Sequence, residues 1–198
     1  MVQLLKIGGS LINHPNQLRL LIDKLCDLSK DFSLMAISGG ATFADLVRSY
    51  YWELKLDEKI SHKMALLCMD IYTFLIEGLS KGRAKSSYSL KEALNIAKKK
   101  RLSLFLTSRF LFEDKEIKSN WKFTSDSIAA YLAKKVSAEK LIMIKDVDGV
   151  YNKDPKKDKE AKLIREITPK DLKNLEESCL DPYFPYIIED SNYECYIV

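Results

Sequence analysis

The chain has 198 residues, a formal net charge of +4, 46% hydrophobic and 30% charged residues, which is enough for one domain spanning 1–198 with a sizeable core. No run approaches the ~20 uninterrupted apolar residues of a membrane helix, and residues 1–12 lack the basic start and cleavage site of a secretory leader, so no membrane partner and a cytoplasmic location are expected. The basic runs "KKKR" (98–101) and "NKDPKKDKEAK" (152–162) hold no interleaved aromatics, which argues against a nucleic-acid partner.

Residues 2–8 read as a strand that carries Lys6 and ends in Gly8-Gly9-Ser10. Residues 16–29 repeat Leu18, Leu21, Ile22, Leu25 and Leu28, the spacing of an amphipathic helix. A second buried strand, 32–38, ends again in two glycines, Gly39 and Gly40. Residues 41–53 read as a helix with Phe43, Leu46, Val47 and Tyr50 on one face, and 57–79 as the longest helix, with Asp57 as cap and Ile60, Met64, Leu67, Ile71 and Leu75 as its buried stripe. Residues 80–88 are a polar connection, 89–100 a helix, 101–108 a strand, and "RFLFE" (109–113) a possible further strand. Residues 124–138 form a helix capped by Thr124 or Ser125, 140–147 a buried strand, and 168–178 a short helix with Pro169 at its first position. The closing "ECYIV" is strand-like.

Alternating strands and helices of this kind argue for an α/β layered fold. The four cysteines are scattered with no CxxC pair, which argues against a structural zinc site; Cys26 and Cys68 fall in apolar helical patterns as buried thiols.

In a parallel sheet, ligands bind beyond the carboxyl ends of the strands. Glycine lets backbone N–H groups approach an anion, and a following helix turns its positive end toward it. Two strand-Gly-Gly-helix corners therefore point to phosphate binding, although the GxxxxGK[ST] pattern of a P-loop is absent. Spacing alone leaves Lys6 with two readings: a cation reaching that site, or an edge-strand lysine snorkelling to water. "KDVDGVYNKDP" (145–155) offers Asp146, Asp148 and Asp154 to a metal or to nucleotide hydroxyls, or is a charged turn. Asp126 can serve a helix dipole or hold a lysine. His62 and Asp70, on the long helix, read equally as buried hydrogen-bonded groups.

In order, "KIGGSL", "SGGATFADLVR", "TSDSIAAYLA" and "KLIMIKDVDGVYNKDP" resemble the amino acid kinase superfamily over roughly residues 1–170. The resemblance implies a three-layer αβα sandwich with a mainly parallel central sheet and phosphoryl transfer from ATP with Mg2+. Lys6 would neutralise the transferring phosphate, and Asp126 would orient that lysine. Gly8, Gly9 and Ser10 would bind ATP phosphates. Lys145, Asp146, Gly149, Tyr151, Lys153 and Asp154 would line the nucleotide site. Gly39 and Gly40 would receive the acceptor's phosphate, with Asp45 and His62 on the acceptor side. "SHKMALLCMDIYTFLI", the Trp in "NWKFTSDSIAAYLA" and "LDPYFP" (180–185) are similar to the small archaeal-type kinases of methanofuran biosynthesis. That narrower resemblance implies [5-(aminomethyl)furan-3-yl]methyl phosphate as acceptor, with Asp45 or Asp70 opposite its cationic aminomethyl group. Isopentenyl phosphate and nucleoside monophosphates stay open as acceptors, as does a non-catalytic anion-binding protein. A homo-oligomer is expected, the apolar 60–76 helix either flooring the acceptor pocket or pairing copies. Two departures from the family pattern stand out. The later Gly-Gly-Met…Lys segment that supplies a second lysine is missing, which leaves Lys145 or Lys153 for that charge, and "YIV" is expected to run on into a further turn and helix.

Overall fold

The computed structural model describes residues 1–114, 116, 120–155, 157–175 and 178–198. In chain order it comprises β1 (Gln3–Ile7), a 3-10 turn (Gly9–Asn13), α1 (Pro15–Leu28), β2 (Leu34–Ser38), α2 (Ala41–Glu53), α3 (Glu58–Leu79), β3 (Ala84–Ser87) and α4 (Leu90–Lys98). There follow β4 (Leu102–Phe105), α5 (Ser108–Glu113), α6 (Ser125–Lys135), β5 (Lys140–Ile144), β6 (Val150–Tyr151), β7 (Leu163–Ile164), α7 (Pro169–Lys173), α8 (Phe184–Ile188) and β8 (Glu194–Ile197).

The main sheet has the order β3-β4-β2-β1-β5-β8 with every pairing parallel. A parallel sheet is covered on both faces, so its central strands read as near-continuous apolar runs; β2 and β4 are buried at every position. Side chains alternate between faces. Leu5 and Ile7 of β1 pack with Leu18, Ile22 and Leu25 of α1, while Leu4 packs with Ile128, Ala129 and Leu132 of α6. That alternation puts Lys6 on the α6 face. The result is the expected three-layer αβα sandwich, with β6 and β7 as a separate antiparallel pair.

Helix starts follow local chemistry. Asp57 accepts the Ile60 N–H at 3.0 Å, Ser89 the Glu92 N–H at 3.3 Å and Thr168 the Asp171 N–H at 3.1 Å, each a side-chain oxygen satisfying a donor that the helix itself leaves open. Cys26 and Cys68 are buried thiols as expected.

Several expectations are corrected. The polar 80–88 connection contains β3, an edge strand whose sequence "AKSS" has no apolar run to announce it. "RFLFE" is the helix α5, too short for a helical period to show. Helix 168–178 ends at Lys173, and positions 176 and 177 lie outside the described residues. The largest correction concerns which faces are buried. On α2 only Ala41 and Val47 are buried, while Leu46 and Tyr50 are exposed. On α3 most of the stripe read as core turns outward, with Ile60, Leu67 and Ile71 53%, 47% and 48% exposed, while Met64 is half-buried and Leu75 packs against the core. The core face is instead Leu66, Met69, Tyr72 and Ile76, with Ser61, His62, Asp70 and Thr73 turned inward among them. A helix apolar on both sides gives no periodicity to choose between them. Thr73 and Asp70 can turn in because partners wait there. Ser38 Oγ lies 2.9 Å from both the Met69 carbonyl and Thr73 Oγ1, and Asp70 accepts the Ser108 N–H at 3.3 Å. Among the described residues no helix is long and apolar enough to cross a membrane.

Candidate active site

β1 lies between β2 and β5. The chain therefore leaves it toward one side of the sheet and returns on the other, the arrangement that opens a crevice at the carboxyl ends of the strands. The three strand ends are tied together there, as the Gly8 N–H donates to the Ile144 carbonyl at 2.8 Å and the Gly39 N–H to the Ile7 carbonyl at 2.9 Å. Those two N–H groups are thus spent on the sheet rather than left for a phosphate. The diglycine corners touch each other. A Cβ on Gly9 would sit 2.7 Å from the Ala41 nitrogen, and one on Gly39 would sit 2.9 Å from the Gly9 nitrogen. Gly9 and Gly39 are required for this close approach and not for a left-handed backbone. Gly40 caps α2 without any side-chain bond, so the first-turn N–H groups of α2 face the crevice without a side-chain cap.

Lys6 is 4% exposed in a central strand, which removes the edge-strand reading. Its Nζ lies 2.8 Å from Asp126 Oδ1, an ion pair off the hydrogen-bonding direction. Lys145, the first residue after β5, donates to Asp126 Oδ2 at 2.9 Å and to the Cys179 carbonyl. One carboxylate on the first turn of α6 therefore holds two ammonium groups brought by two adjacent strands. Burial pulls the Lys6 ammonium below the ordinary lysine range, against the opposing pull of Asp126. Burial also pushes the Asp126 carboxyl up, but Lys6 and Lys145 together outweigh it and hold it below the ordinary carboxylate range.

Two cavities flank this cluster. The smaller, about 350 Å3, is lined by Gly9, Ser10, Gly39, Gly40, Asp45 and His62, among others. The larger, about 1190 Å3, is lined by Lys145, Asp146, Gly149, Tyr151, Lys153 and Asp154, among others. The residues read as nucleotide-binding from the 145–155 segment are thus together, apart from Asp148, which stands outside the cavity wall and accepts from Tyr151 at 3.4 Å. Lys153 pairs with Asp158 at 2.8 Å. Gly9 and Ser10 stand with the second diglycine corner in the smaller cavity, not in the larger one. Lys6 and Asp126 line neither wall; Ser125, next to Asp126 in the chain, lines the smaller cavity, and Lys145, paired with Asp126, lines the larger. The segment 120–125 divides the two spaces: Trp121, Thr124 and Ser125 face the smaller and Lys122 the larger.

Asp45 stands at the rim of the smaller cavity, paired with Arg48 at 3.0 Å. His62 is buried in its wall with Nε2 3.4 Å from the Phe123 carbonyl, and burial pulls its imidazole below the ordinary range. Asp70 lines neither cavity; its carboxylate is taken by Ser108, and burial pushes it up. Sequence reasoning missed Arg48 and Trp121 as site residues. The Arg48 guanidinium lies 5.0 Å over the Trp121 ring, and Tyr51 stands 5.6 Å from the same ring, which fixes the indole as an outer wall of the smaller cavity. A lone tryptophan in a polar segment just before a helix start was the available signal. Thr124 does occupy the position before α6, but its side chain makes no cap; its hydroxyl donates to Asp181 at 2.8 Å.

Among the described residues no group of three His, Cys, Asp or Glu side chains could hold a metal ion, and Asp126 has both oxygens engaged with lysines.

The profile of the amino acid kinase family matches residues 1–183. The [5-(aminomethyl)furan-3-yl]methyl phosphate kinase of Methanocaldococcus jannaschii is 29% identical over 100% of this chain and 87% of its own. The uridylate kinase of Methanococcus aeolicus is 46% identical over 26% of this chain and 23% of its own. Among solved structures, uridylate kinase from Archaeoglobus fulgidus superposes with a TM-score of 0.78 at 23% identity, covering 100% of this chain and 90% of that one. Aspartate kinase from Synechocystis gives 0.74 at 14% identity, covering 100% and 38%.

Proposed function

The chain belongs to the amino acid kinase family, and from that premise we propose that it transfers a phosphoryl group from ATP in the larger cavity to a small phosphomonoester in the smaller one. The product is a diphosphate, and the acceptor is [5-(aminomethyl)furan-3-yl]methyl phosphate. The observation that carries this is the Lys6–Asp126–Lys145 cluster at the divide between two cavities.

ATP supplies the γ-phosphoryl group, with Mg2+ on its phosphate oxygens. The acceptor is a phosphate already ionised near neutral pH, so no strong base is needed and catalysis rests on positioning and charge neutralisation. Lys6 and Lys145 neutralise charge on the transferring group. An ammonium has three N–H donors, so each can keep its bond to Asp126 and still present a proton to a phosphate oxygen. Asp126 keeps the two cations apart from one another and fixed in place. Lys145 thereby provides the second positive charge that the family pattern takes from a later segment. Gly9, Gly40 and the first turn of α2 receive the acceptor phosphate and the arriving phosphoryl group through backbone N–H donors. Trp121 offers a flat face to the acceptor's ring, and Asp45 is the carboxylate for its aminomethyl cation.

Full-length similarity to the furan phosphate kinase and a cavity at the small end of the range for ligand pockets favour this acceptor. The stretch that matches uridylate kinases keeps UMP as the second reading. Incubation with Mg·ATP and a panel of furan phosphate, isopentenyl phosphate and UMP, with ADP release measured, decides between them. Preferred turnover of UMP would transfer the reading to uridylate kinase, and nucleotide binding without turnover of any acceptor would replace it with a binding protein.

The homo-oligomer is proposed on α3. Its outward residues Ile60, Leu67, Ile71 and Phe74 recur at spacings of seven, four and three, a heptad seam that suits a second helix of the same kind. A second copy of this chain supplies such a helix.

A further inference from the structure

The segment "LDPYFP" has no part in the chemistry so far, yet Asp181 within it is the most heavily bonded carboxylate described. It is buried, and each oxygen takes three donors. Oδ2 accepts the Thr124 N–H at 3.0 Å, the Thr124 hydroxyl at 2.8 Å and the Ser127 N–H at 2.9 Å. Oδ1 accepts the Ser127 hydroxyl and, at 3.1 Å each, the N–H groups of Tyr183 and Phe184.

Thr124 and Ser127 bracket Asp126. The α6 helix begins without a capping bond from its own N-cap side chain, and Asp181 supplies that bond from more than fifty residues away, at 57 and 54 positions' separation. Two residues upstream, the Cys179 carbonyl takes a hydrogen bond from Lys145. Asp181 also lines the larger cavity, with Leu180, Pro182 and Tyr183 beside it. One short loop thus touches the orienting carboxylate's helix turn, the second lysine and the wall of the proposed nucleotide site.

We infer that Asp181 is a positioning residue for phosphoryl transfer: it clamps the first turn of α6 so that Asp126 stands between Lys6 and Lys145, and joins that turn to the wall of the larger cavity. The inference rests on the catalytic reading of the Lys6–Asp126–Lys145 cluster. It requires a carboxylate and not merely a polar side chain. An asparagine has one oxygen, so whichever way its amide turns, three donors on one side meet an NH2 group and lose their acceptor. Either the α6 turn or the 183–184 turn is then released.

The test compares the full chain with Asp181→Asn, Asp126→Asn and the double variant, using γ-labelled ATP and the furan phosphate, with folding checked by circular dichroism. Asp181→Asn is expected to lower kcat by about tenfold or more while each KM moves by less than about threefold, the pattern of an interaction realised in the transition state. In the Asp126→Asn background the same change is expected to cost less than about threefold further, because two residues acting through one group are not additive. A fully additive loss in the double variant, or a kcat in Asp181→Asn close to that of the parent, overturns the inference and leaves the kinase reading standing. Full turnover by Asp126→Asn instead removes the reading of the cluster and the inference with it. Should Asp181→Asn not fold, Thr124→Val and Ser127→Ala each delete one side-chain donor, and the same split between kcat and KM is required of them.

Discussion

Replacing Lys6 by methionine tests the role of its charge. The side chain keeps its approximate length and loses its charge. An ammonium about 4 Å from a phosphate oxygen interacts with it by roughly 4 kcal/mol at an effective dielectric constant of about 20. Loss of one preorganised donor to developing charge costs about 10²–10³ in kcat, or roughly 3–4 kcal/mol. Lys6→Met is therefore expected to lower kcat by about that factor, with Lys145 still holding Asp126 at 2.9 Å. Stability is expected to fall as well, because the methionine leaves the buried Asp126 Oδ1 without its partner while Lys145 still pairs with Oδ2; the loss is limited because the Lys6 ammonium is itself disfavoured there by desolvation. The assay is steady-state ADP release with saturating substrates, beside urea unfolding of the same preparation. A variant whose kcat stays within about threefold of the parent would falsify the assignment of Lys6 to the transferring phosphate.

Three further outcomes are expected. Because burial lowers the Lys6 pKa, the kcat/KM profile, which reports the free enzyme, should lose activity on the alkaline side below the ordinary lysine value of 10.5. The unfolded chain binds that proton more tightly than the folded one, so this group's contribution to stability rises as pH climbs from the lowered pKa to 10.5; activity persisting undiminished to that pH contradicts the reading. Trp121→Ala should raise the acceptor KM by about two- to tenfold and leave the ATP KM unchanged, matching about 0.5–1.5 kcal/mol for a ring contact, and an unchanged acceptor KM removes the tryptophan from the acceptor wall. Leu67→Glu, placed in the middle of the outward α3 stripe, should convert the oligomer to monomer in light scattering; an unaltered mass places the interface elsewhere.

Much of the fold was legible because the inner strands of a parallel sheet are near-continuous apolar runs. The runs that became β1, β2, β4 and β5 stand out against helices with a single apolar face, such as α1. The two diglycine corners were legible for the same kind of reason, since few other residues tolerate backbone packed at 2.7–2.9 Å from where a side chain would begin. The inward face of α3 was not legible. Ile60 and Leu67 carry the same local signal as Leu66 and Met69, and only the neighbours Ser38 and Ser108 draw the polar side in.

The amino-acid sequence by itself determined the alternation of strands and helices and the close turns after β1 and β2, because each depends on residues within a few positions of one another. Tertiary structure alone decided that Lys145 meets Asp126, that Trp121 closes the smaller cavity and that Asp181 caps a helix from 54 and 57 residues away. Those groups are distant in the chain, and what brings them together is the strand order, which sets β1 beside β5 and lays the C-terminal loop across the start of α6.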